Sequence, residues 1–297
     1  MKILGLDSSG LVASVAIVED NDLKGEYTVN YKKTHSQTLL PMLDEVAKMI
    51  ELDLNSIDAI AVSGGPGSFT GLRIGSATAK GLGLALGKPL IHIPTVDALA
   101  YNLAGNRDII CPLMDARRNQ TYTGLYRFDG NQMEIIKPQC AVGIDEIIAE
   151  VNKLGQAVVF LGDGVAVFET YIHENCTVPY TFAPAHVNKQ RAGAVAALGE
   201  IYYTEGKTET AEEHRPDYLR LSQAERERLE GERRSIAVIG MNTKLVDICG
   251  LTISGALFGG KPMVQNLTVY CLPDSEAQRY CLDNGVPCRH LSEFPAE

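Results

Sequence analysis

A glycine-rich segment between a predicted strand and a predicted helix has the residue types that can bind an anion. Its sequence is Gly64-Gly65-Pro66-Gly67-Ser68-Phe69-Thr70-Gly71. Glycines let backbone N–H groups approach a ligand closely, and the N-terminus of the following helix attracts negative charge. No Lys-Ser/Thr pair follows the last glycine, so the segment is not a P-loop. A tight turn that allows close packing of strand and helix explains the same residues, and both interpretations stay open.

Asp7 ends the first predicted strand and is the second candidate for chemistry. An aspartate in this position can hold a metal–nucleotide complex. An aspartate followed by serines also forms a turn, because its carboxylate accepts hydrogen bonds from the backbone just after it. The nucleotide-binding residues predicted from the sequence are Asp7, Ser8, Ser9, Gly65 and Gly67. The turn-forming role of Asp7 is the alternative.

The histidines and cysteines do not predict a metal site. His35 stands alone at the start of a predicted helix, where a cap or a surface contact is the ordinary role. His92 lies at a strand end and has no partner at metal-ligand spacing. The seven cysteines are scattered without a CxxC pair, and there is no HExxH motif. We therefore predict no metal ligands and reduced thiols.

Alternating strands and helices position these residues in the first part of the chain. Residues 3–7 and 13–18 form a predicted hairpin, and the whole order over residues 1–107 is β-β-β-α-β-α-β-α. The first helix has an apolar face that includes Leu39 and Leu43. The second, over residues 72–86, is rich in small side chains. We interpret this part as one α/β lobe.

The second part of the chain repeats the opening of the first. Residues 109–115 and 121–126 again predict strand, turn and strand, with Asp115 in the place of Asp7. Arg117 and Arg118 follow and suit an anion, an acidic partner or a surface pair equally. A strand over 158–162 and a helix over 191–203 complete the pattern. This duplication indicates a two-lobed actin-like ATPase architecture, with lobes at residues 1–107 and 108–229.

Residues 230–297 are predicted to be a linker and a partial βαβ extension of unknown role. A charged segment over 225–234 is typical of a solvated linker. Strands are predicted at 235–240 and 264–272, and helices at 244–258 and 275–282. No GxGxxG follows the first of these strands, so phosphate binding has little support there.

Composition limits the classes of partner. The formal net charge is −10 and the sequence pI is about 5.2. An acidic chain repels a phosphate backbone, so any role with nucleic acid must be shared with a basic partner. No signal peptide precedes the first strand, and no apolar run reaches the roughly 18 residues of a membrane helix. We expect a cytoplasmic protein with no membrane partner.

Five motifs in the same order resemble the bacterial TsaB family, also called YeaZ. The resemblance covers roughly residues 1–229, and its most specific string is the third. The motifs are ILGLDSS at 3–9, HSQTLLP at 35–41, GPGSFTGLRIG at 65–75, DARR at 115–118 and PDYLR at 216–220.

This resemblance implies the actin-like (ASKHA) fold and a role in making threonylcarbamoyladenosine in tRNA. TsaB-type proteins pair with a paralogue, TsaD, which carries the catalytic metal and nucleotide, and they work with TsaE and with TsaC or its variant. The catalytic paralogue has an HHxEGH motif where this chain has KPLIHIPTVDAL at 88–99. Thr95 and Leu99 stand in the places of the two metal-binding histidines, and neither is an imidazole ligand.

The resemblance therefore implies a non-catalytic subunit that supports a TsaD-like partner and meets tRNA only through the complex. A TsaE-like ATPase is a further partner. No cofactor is assigned to this chain, and ATP at the level of the complex and homodimerisation both stay open. The alternative is an independent actin-like ATPase or a glycoprotease-like hydrolase. The predicted partner interface consists of His35, Leu39, Leu43, Arg73, Gly75, Ala79 and Gly83.

Overall fold

The computed structural model describes residues 1–31, 35–130 and 132–219, together with short strands and Leu282 in the C-terminal segment. The side chains at positions 35 and 36 lie outside this description. The chain forms two compact units, Met1–Arg220 and Leu221–Glu297. In the part of the chain that is described, no helix is long and apolar enough to cross a membrane.

The first sheet has five strands in the order β3-β2-β1-β4-β5. They are β1 (Lys2–Asp7), β2 (Val12–Glu19), β3 (Asp22–Asn30), β4 (Ala59–Gly65) and β5 (Leu90–Pro94). β1, β2 and β3 are antiparallel neighbours, whereas β1, β4 and β5 run parallel. The predicted hairpin is confirmed. The carboxyl ends of β1 and β4 lie side by side, which brings Asp7 next to the glycine-rich segment.

Three helices belong to this first half: α1 (His35–Met49), α2 (Phe69–Leu86) and α3 (Thr95–Tyr101). α1 and α2 bury apolar side chains against β1, β2 and β4. α2 begins three residues before its predicted start because the Ser68 side chain accepts a hydrogen bond from the Gly71 N–H at 3.3 Å. It ends at Leu86 and is capped by Gly87, whose left-handed φ of 63° favours glycine.

The second half repeats the first strand for strand. Its sheet has the order β8-β7-β6-β9-β10, with the same parallel and antiparallel neighbours as the first. Its strands are β6 (Ile109–Asp115), β7 (Gln120–Asp129), β8 (Gln132–Gly143), β9 (Val158–Leu161) and β10 (Tyr180–Phe182). Its helices are α4 (Ile144–Leu154), α5 (Gly164–Asn175) and α6 (Ala192–Thr204). The predicted actin-like fold is confirmed, although β8, β10, α4 and α5 were not predicted from the sequence.

The last helix of each half packs on the sheet of the other half. α6 lies against the first sheet, where Gly5 and Gly199 leave no room for a side chain. α3 joins the core of the second sheet through Val96, Leu99 and Ala100. This exchange explains why residues from both halves form one compact unit. The predicted lobe boundary at residues 107 and 108 stays a prediction.

The second compact unit contains a parallel three-stranded sheet in the order Ile236–Ile239, Thr268–Cys271, Cys288–His290. The first two confirm the predicted strands at 235–240 and 264–272. Leu257–Phe258 pairs with Lys261–Pro262, so the predicted helix over 244–258 is wrong at its C-terminal end. The rest of that helix, the charged segment 225–234 and residues 275–281 lie outside the described residues.

Candidate functional site

The carboxylate of Asp7 is the centre of a buried hydrogen-bond network. Ser9 donates to Asp7 Oδ1 from its backbone N–H at 2.8 Å and from its hydroxyl at 2.7 Å. The Ser63 hydroxyl, on β4, donates to Asp7 Oδ2 at 2.6 Å. Asp7 is 1% exposed. Both carboxylate oxygens are thus used to join the ends of β1 and β4.

The glycine-rich segment packs against the turn that follows Asp7. The Ser68 N–H donates to the Ser9 carbonyl at 2.6 Å, and the Ser8 hydroxyl donates to the Gly71 carbonyl at 2.9 Å. A side chain at Gly67 would overlap the Ser9 carbonyl, because the two backbones touch there. Four of the predicted nucleotide-binding residues, Asp7, Ser8, Ser9 and Gly67, are thus brought together through contacts within the chain.

Gly65 makes a second close approach, to the end of the described chain. Its φ is 121°, and a Cβ would overlap the Asp217 carbonyl. The Asp217 N–H donates to the Gly64 carbonyl at 2.6 Å. The Gly65 N–H, one of the groups expected to face an anion, donates to Thr95 Oγ1 at 3.1 Å. The glycines therefore serve close packing of the chain on itself, and the nucleotide site stays a prediction.

Thr95 and Leu99, which the family resemblance puts in the places of two metal-binding histidines, lie on α3 and are buried. Thr95 is 0% exposed and Leu99 1%. Thr95 accepts the hydrogen bond from Gly65, whereas Leu99 belongs to an apolar core with Val96 and Met114. These two side chains are parts of the interior.

Asp97, between them, is a buried carboxyl paired with a buried tyrosine. The Tyr126 hydroxyl donates to Asp97 Oδ1 at 2.7 Å, and the two residues are 0% and 4% exposed respectively. Burial raises the pKa of Asp97, against smaller opposing effects of the Tyr126 hydrogen bond and of Lys207. Burial also raises the pKa of Tyr126.

Most of the predicted partner interface lies inside the first half of the chain. Leu39, Leu43 and Ala79 belong to its core. A side chain at Gly75 would overlap the Ser8 hydroxyl, and one at Gly83 would press on Leu90. The stripe formed by Gly75, Ala79 and Gly83 therefore packs on its own sheet. The side chain of His35 lies outside the described residues.

Arg73 is exposed, yet it has partners within the chain. Its guanidinium carbon lies 3.9 Å from the centroid of the Phe69 ring, and its Nε donates to the Tyr218 hydroxyl at 3.4 Å. The rings of Phe69 and Tyr218 are 4.7 Å apart. Arg73 thus holds part of the PDYLR motif beside the start of α2.

A second stripe of small residues on α2 faces outward. Ala77, Gly81 and Ala85 recur every fourth residue and are exposed, and a Cβ at Gly81 would meet open space. Leu84, on the same side, is 68% exposed. We call Ala77, Gly81, Leu84 and Ala85 the outer face of α2. On α1, Leu40 is 51% exposed.

His92 meets two residues that the sequence analysis did not connect to it. One nitrogen of His92, one of His214 and one carboxylate oxygen of Glu209 all lie within 4.8 Å of one another. His214 Nδ1 is 2.6 Å from Glu209 Oε1. Burial and the neighbouring His214 lower the pKa of His92, against opposing effects of Glu209 and Asp217. The residues lie far apart in the sequence, so spacing gives no signal for this cluster.

In the second half, Asp115 occupies the position equivalent to Asp7 but has different surroundings. Asp115 accepts a hydrogen bond from the Arg117 N–H at 2.8 Å, and its backbone N–H donates to Asp163 Oδ1 at 3.3 Å. Burial raises the pKa of Asp163, against the opposing effect of the hydrogen bond from the Asp115 N–H. Arg117, Arg118 and Asn119 all have left-handed backbones, with φ of 66°, 57° and 58°. The duplicated aspartates thus share a position in the fold but not a network.

Comparisons with known proteins match the first compact unit. A family model described as TsaD, tRNA N6-adenosine threonylcarbamoyltransferase, matches residues 25–228. The tRNA threonylcarbamoyladenosine biosynthesis protein TsaB of Haemophilus influenzae is 30% identical over 237 residues, covering 74% of this chain and 94% of that protein. The chain belongs to the TsaB family. The match to the family model also relates this chain to TsaD.

A further relative and a solved structure resemble this chain in sequence and in fold respectively. TsaB of Bacillus subtilis is 29% identical over 235 residues, covering 78% of this chain and all of that protein. A Pseudomonas aeruginosa structure described as similar to peptidase YEAZ shares the fold, with a TM-score of 0.63 at 24% identity over 74% of this chain and 99% of that one. These relatives are covered almost completely, so this TsaB-family chain extends beyond the length they share with it.

Proposed function

We propose that this TsaB-family chain is a non-catalytic subunit of the machinery that makes threonylcarbamoyladenosine in tRNA, and that it binds a TsaD-like catalytic paralogue. The observation that carries the proposal is the burial of Thr95 and Leu99 on α3. The motif resemblance puts these positions in the places of the metal-binding histidines of the catalytic paralogue. A threonine whose hydroxyl accepts the Gly65 N–H and a leucine in the core supply no such ligand there.

The network around Asp7 supports the same proposal. In an actin-like ATPase, an aspartate in this position and the adjacent loop are free to meet metal and phosphate. Here both oxygens of Asp7 accept hydrogen bonds from serines, and the glycine-rich segment touches the Ser9 carbonyl. We therefore propose that ATP acts at the level of the complex, through TsaD-like and TsaE-like partners.

The outer face of α2 is the surface that we propose for the TsaD-like partner. It offers the small residues Ala77, Gly81 and Ala85 beside the exposed apolar Leu84. Small side chains let a second helix approach closely, and burying apolar surface contributes about 25 cal/mol per Å². A paralogue with the same fold carries an equivalent helix, so the two helices can pack against each other. Homodimerisation through this face is a competing use of it.

The contact with tRNA is proposed to be indirect. The formal net charge of −10 opposes binding to a polyphosphate, whereas a complex can supply the basic surface that this chain lacks. We place this chain beside the tRNA-binding subunit, in support of its catalytic site. The cytoplasm, where tRNA is modified, is the proposed location.

An independent actin-like ATPase is the second candidate, because the fold does bring Asp7 together with the glycine-rich segment. A glycoprotease-like hydrolase has less support, since Thr95 and Leu99 replace the expected metal ligands. Turnover of ATP by the purified chain without any partner would favour the ATPase.

The proposal is tested by co-purification. The chain carrying an affinity tag is produced together with the TsaD-like protein of the same organism, and the eluted complex is sized by gel filtration with light scattering. We expect a stable heterodimer and no ATP turnover by the isolated chain. Recovery of the tagged chain without the paralogue, together with ATP hydrolysis, would replace the proposal with the ATPase.

A further inference from the structure

His92, Glu209 and His214 form a cluster that neither the fold nor the proposed function explains. His92 lies on β5, at the edge of the first sheet, and Glu209 belongs to a segment that crosses this edge. The backbones of Glu209 and Leu90 exchange two hydrogen bonds, at 2.8 and 2.9 Å. Five residues further, His214 faces the ring of His92 at a centroid distance of 5.7 Å.

The buried side chain of His214 is only partly satisfied. It is 0% exposed, and its Nδ1 lies 2.6 Å from Glu209 Oε1. Its Nε2 is also buried and has no hydrogen-bond partner in the described structure. Buried polar groups in proteins nearly always have a partner, because leaving one without costs about 1–3 kcal/mol. The unpartnered nitrogen therefore points to a missing ligand.

We propose that His92, His214 and Glu209 bind a divalent transition-metal ion of the zinc class. One nitrogen from each imidazole and one carboxylate oxygen lie within 4.8 Å of one another. Ligands on a tetrahedral zinc ion, at about 2.0–2.1 Å from the metal, are about 3.3 Å apart. Small side-chain rotations are enough to bring the three groups from their present spacing, within 4.8 Å, to the spacing of about 3.3 Å that the ion requires.

The chemistry of the ligands selects the class of ion. Two imidazoles and one carboxylate are the ligands of zinc sites that keep a fourth position for water, whereas Mg²⁺ and Ca²⁺ prefer oxygen ligands. Glu209 Oε1 lies 2.6 Å from His214 Nδ1. Because Glu209 is itself a proposed ligand, its carboxylate would exchange this contact for a bond to the ion.

Gly64 provides the room that the His92 ring occupies. A side chain at position 64 would overlap three atoms of the imidazole. The ring therefore lies directly on the backbone of β4, beside the glycine-rich segment. This close approach holds His92 in a defined orientation, which a metal site requires.

A cavity gives the ion access and leaves space for a water ligand. Its volume is about 230 Å³, and His92, Tyr202, Lys207, Thr208 and Glu209 line it. Lys207 is the positively charged side chain among these lining residues. Its Nζ lies 2.7 Å from Glu205 and 4.4 Å from the Tyr202 ring centroid, so its charge is already paired.

The proposed ion would tie the end of the first compact unit to its sheet. Glu209 and His214 lie on the segment that continues to Asp217, whose N–H donates to Gly64. Metal binding would thus fasten this segment beside β4 and β5 and stabilise the glycine-rich segment indirectly. The role is structural and is separate from threonylcarbamoyl transfer.

The experiment measures zinc binding by the full chain. The protein is stripped with a chelator, and ZnCl₂ is titrated calorimetrically into wild type, His92→Gln, Glu209→Gln and His186→Gln, with MgCl₂ as the comparison ion. His186 is an exposed histidine away from the cluster, so its substitution is the matched control. His92 and Glu209 are chosen because both are only partly buried, so their substitution is compatible with folding. Circular dichroism confirms that each variant is folded.

We expect one zinc per wild-type chain, a higher melting temperature with zinc, and no response to magnesium. The His92→Gln and Glu209→Gln variants should bind at least about tenfold more weakly, because each loses one of three ligands. His186→Gln should bind as wild type does. A wild-type chain that takes up no zinc would overturn the proposal. Equal binding by wild type and both cluster variants would also overturn it, because the zinc would then lie elsewhere, as on the cysteines.

Discussion

Asp7 joins the ends of β1 and β4 through hydrogen bonds from Ser9 and Ser63. Its type and its place after an apolar strand could be predicted from the sequence, but its partners could not. Ser63 comes from a strand far along the chain, and only the parallel pairing of β1 with β4 brings its hydroxyl within 2.6 Å of the carboxylate. His92 illustrates the same limit, since its neighbours Glu209 and His214 are supplied by the tertiary fold.

The structural role of Asp7 predicts the effect of Asp7→Asn. An amide nitrogen in place of one carboxylate oxygen cannot accept from a serine hydroxyl, so we expect the free energy of unfolding to fall by about 1–3 kcal/mol. Urea denaturation measures this change. Calorimetric titration with ATP serves as the second readout. Unchanged stability combined with the loss of measurable ATP binding would assign Asp7 to a nucleotide site instead.

Asp97 predicts a dependence of stability on pH. Its pKa is raised above the unfolded value, chiefly by burial, so folding favours the protonated carboxyl. The associated stability is present in full below the unfolded pKa and is lost as the pH rises through the folded pKa. Asp97→Asn keeps an acceptor for the Tyr126 hydroxyl and cannot ionise.

We therefore expect Asp97→Asn to melt at a higher temperature than wild type at neutral pH. The difference should shrink as the pH falls toward the ordinary range of a carboxyl group. Thermal unfolding at a series of pH values checks this. A destabilised variant at neutral pH would mean that ionised Asp97 is favoured in the fold, contrary to the direction of its pKa.

The helix α2 shows what periodicity can and cannot decide. Its sequence predicts a helix rich in small residues, and the helix is observed at Phe69–Leu86. Two stripes repeat every fourth residue, one through Ala79 and one through Gly81. Spacing alone does not tell which stripe faces the sheet, because both consist of small residues. The structure buries Ala79 and exposes Gly81, so the interface proposal moves to the outer face.

The elements missed in the second half have identifiable reasons. α4 carried a signal, since Ile144, Ile147, Ile148 and Val151 have helical spacing and are all buried. β8 carried little signal, because it is an edge strand whose residues are mostly half-exposed and show no clear alternation of buried and exposed side chains. β10 has only three residues, Tyr180–Phe182. Short or edge strands depend on their neighbours more than on their own pattern.

The outer face of α2 predicts that Leu84→Glu weakens binding of the TsaD-like partner. Burying a leucine contributes about 1.5–3 kcal/mol, and 1.4 kcal/mol is a tenfold change in affinity, so we expect a loss of at least about tenfold. Val167→Glu is the matched control, because Val167 is an apolar residue on α5 with 57% exposure. Biolayer interferometry with the immobilised paralogue measures both variants. Equal affinity of Leu84→Glu and wild type would remove the outer face of α2 from the interface.

The two halves of the first compact unit share one topology but have different interiors. Each half has a five-stranded sheet with the same order of neighbours, and α3 and α6 are exchanged between them. The repeated strand–turn–strand opening was enough to predict the architecture, since hydrophobic strands and their turns are local signals. The exchange of helices depends on packing between distant segments, as at Gly199 against Ala61, and no local pattern encodes it.

The second compact unit, Leu221–Glu297, lies largely beyond the part shared with the relatives, which covers 74–78% of the chain. We predict that a chain ending at Gly231 folds and binds the TsaD-like partner as the full chain does. The outer face of α2 and the networks around Asp7 and Asp97 all lie within the first unit. Soluble yield, melting temperature and partner affinity are the measurements. Loss of partner binding with the fold intact would make the second unit part of the interface.

Reconstitution of tRNA modification from purified components decides whether this chain is catalytic or supports a catalytic paralogue. Unmodified tRNA and threonylcarbamoyl-AMP are incubated with this chain alone, with the TsaD-like paralogue alone, and with both, and the modified nucleoside is quantified by mass spectrometry. We predict no product from this chain alone, because the proposed function puts Thr95 and Leu99 in the places of the catalytic paralogue's metal-binding histidines. Adding it to the paralogue should increase product formation. Threonylcarbamoyladenosine formed by this chain without the paralogue would show that the chain is itself catalytic.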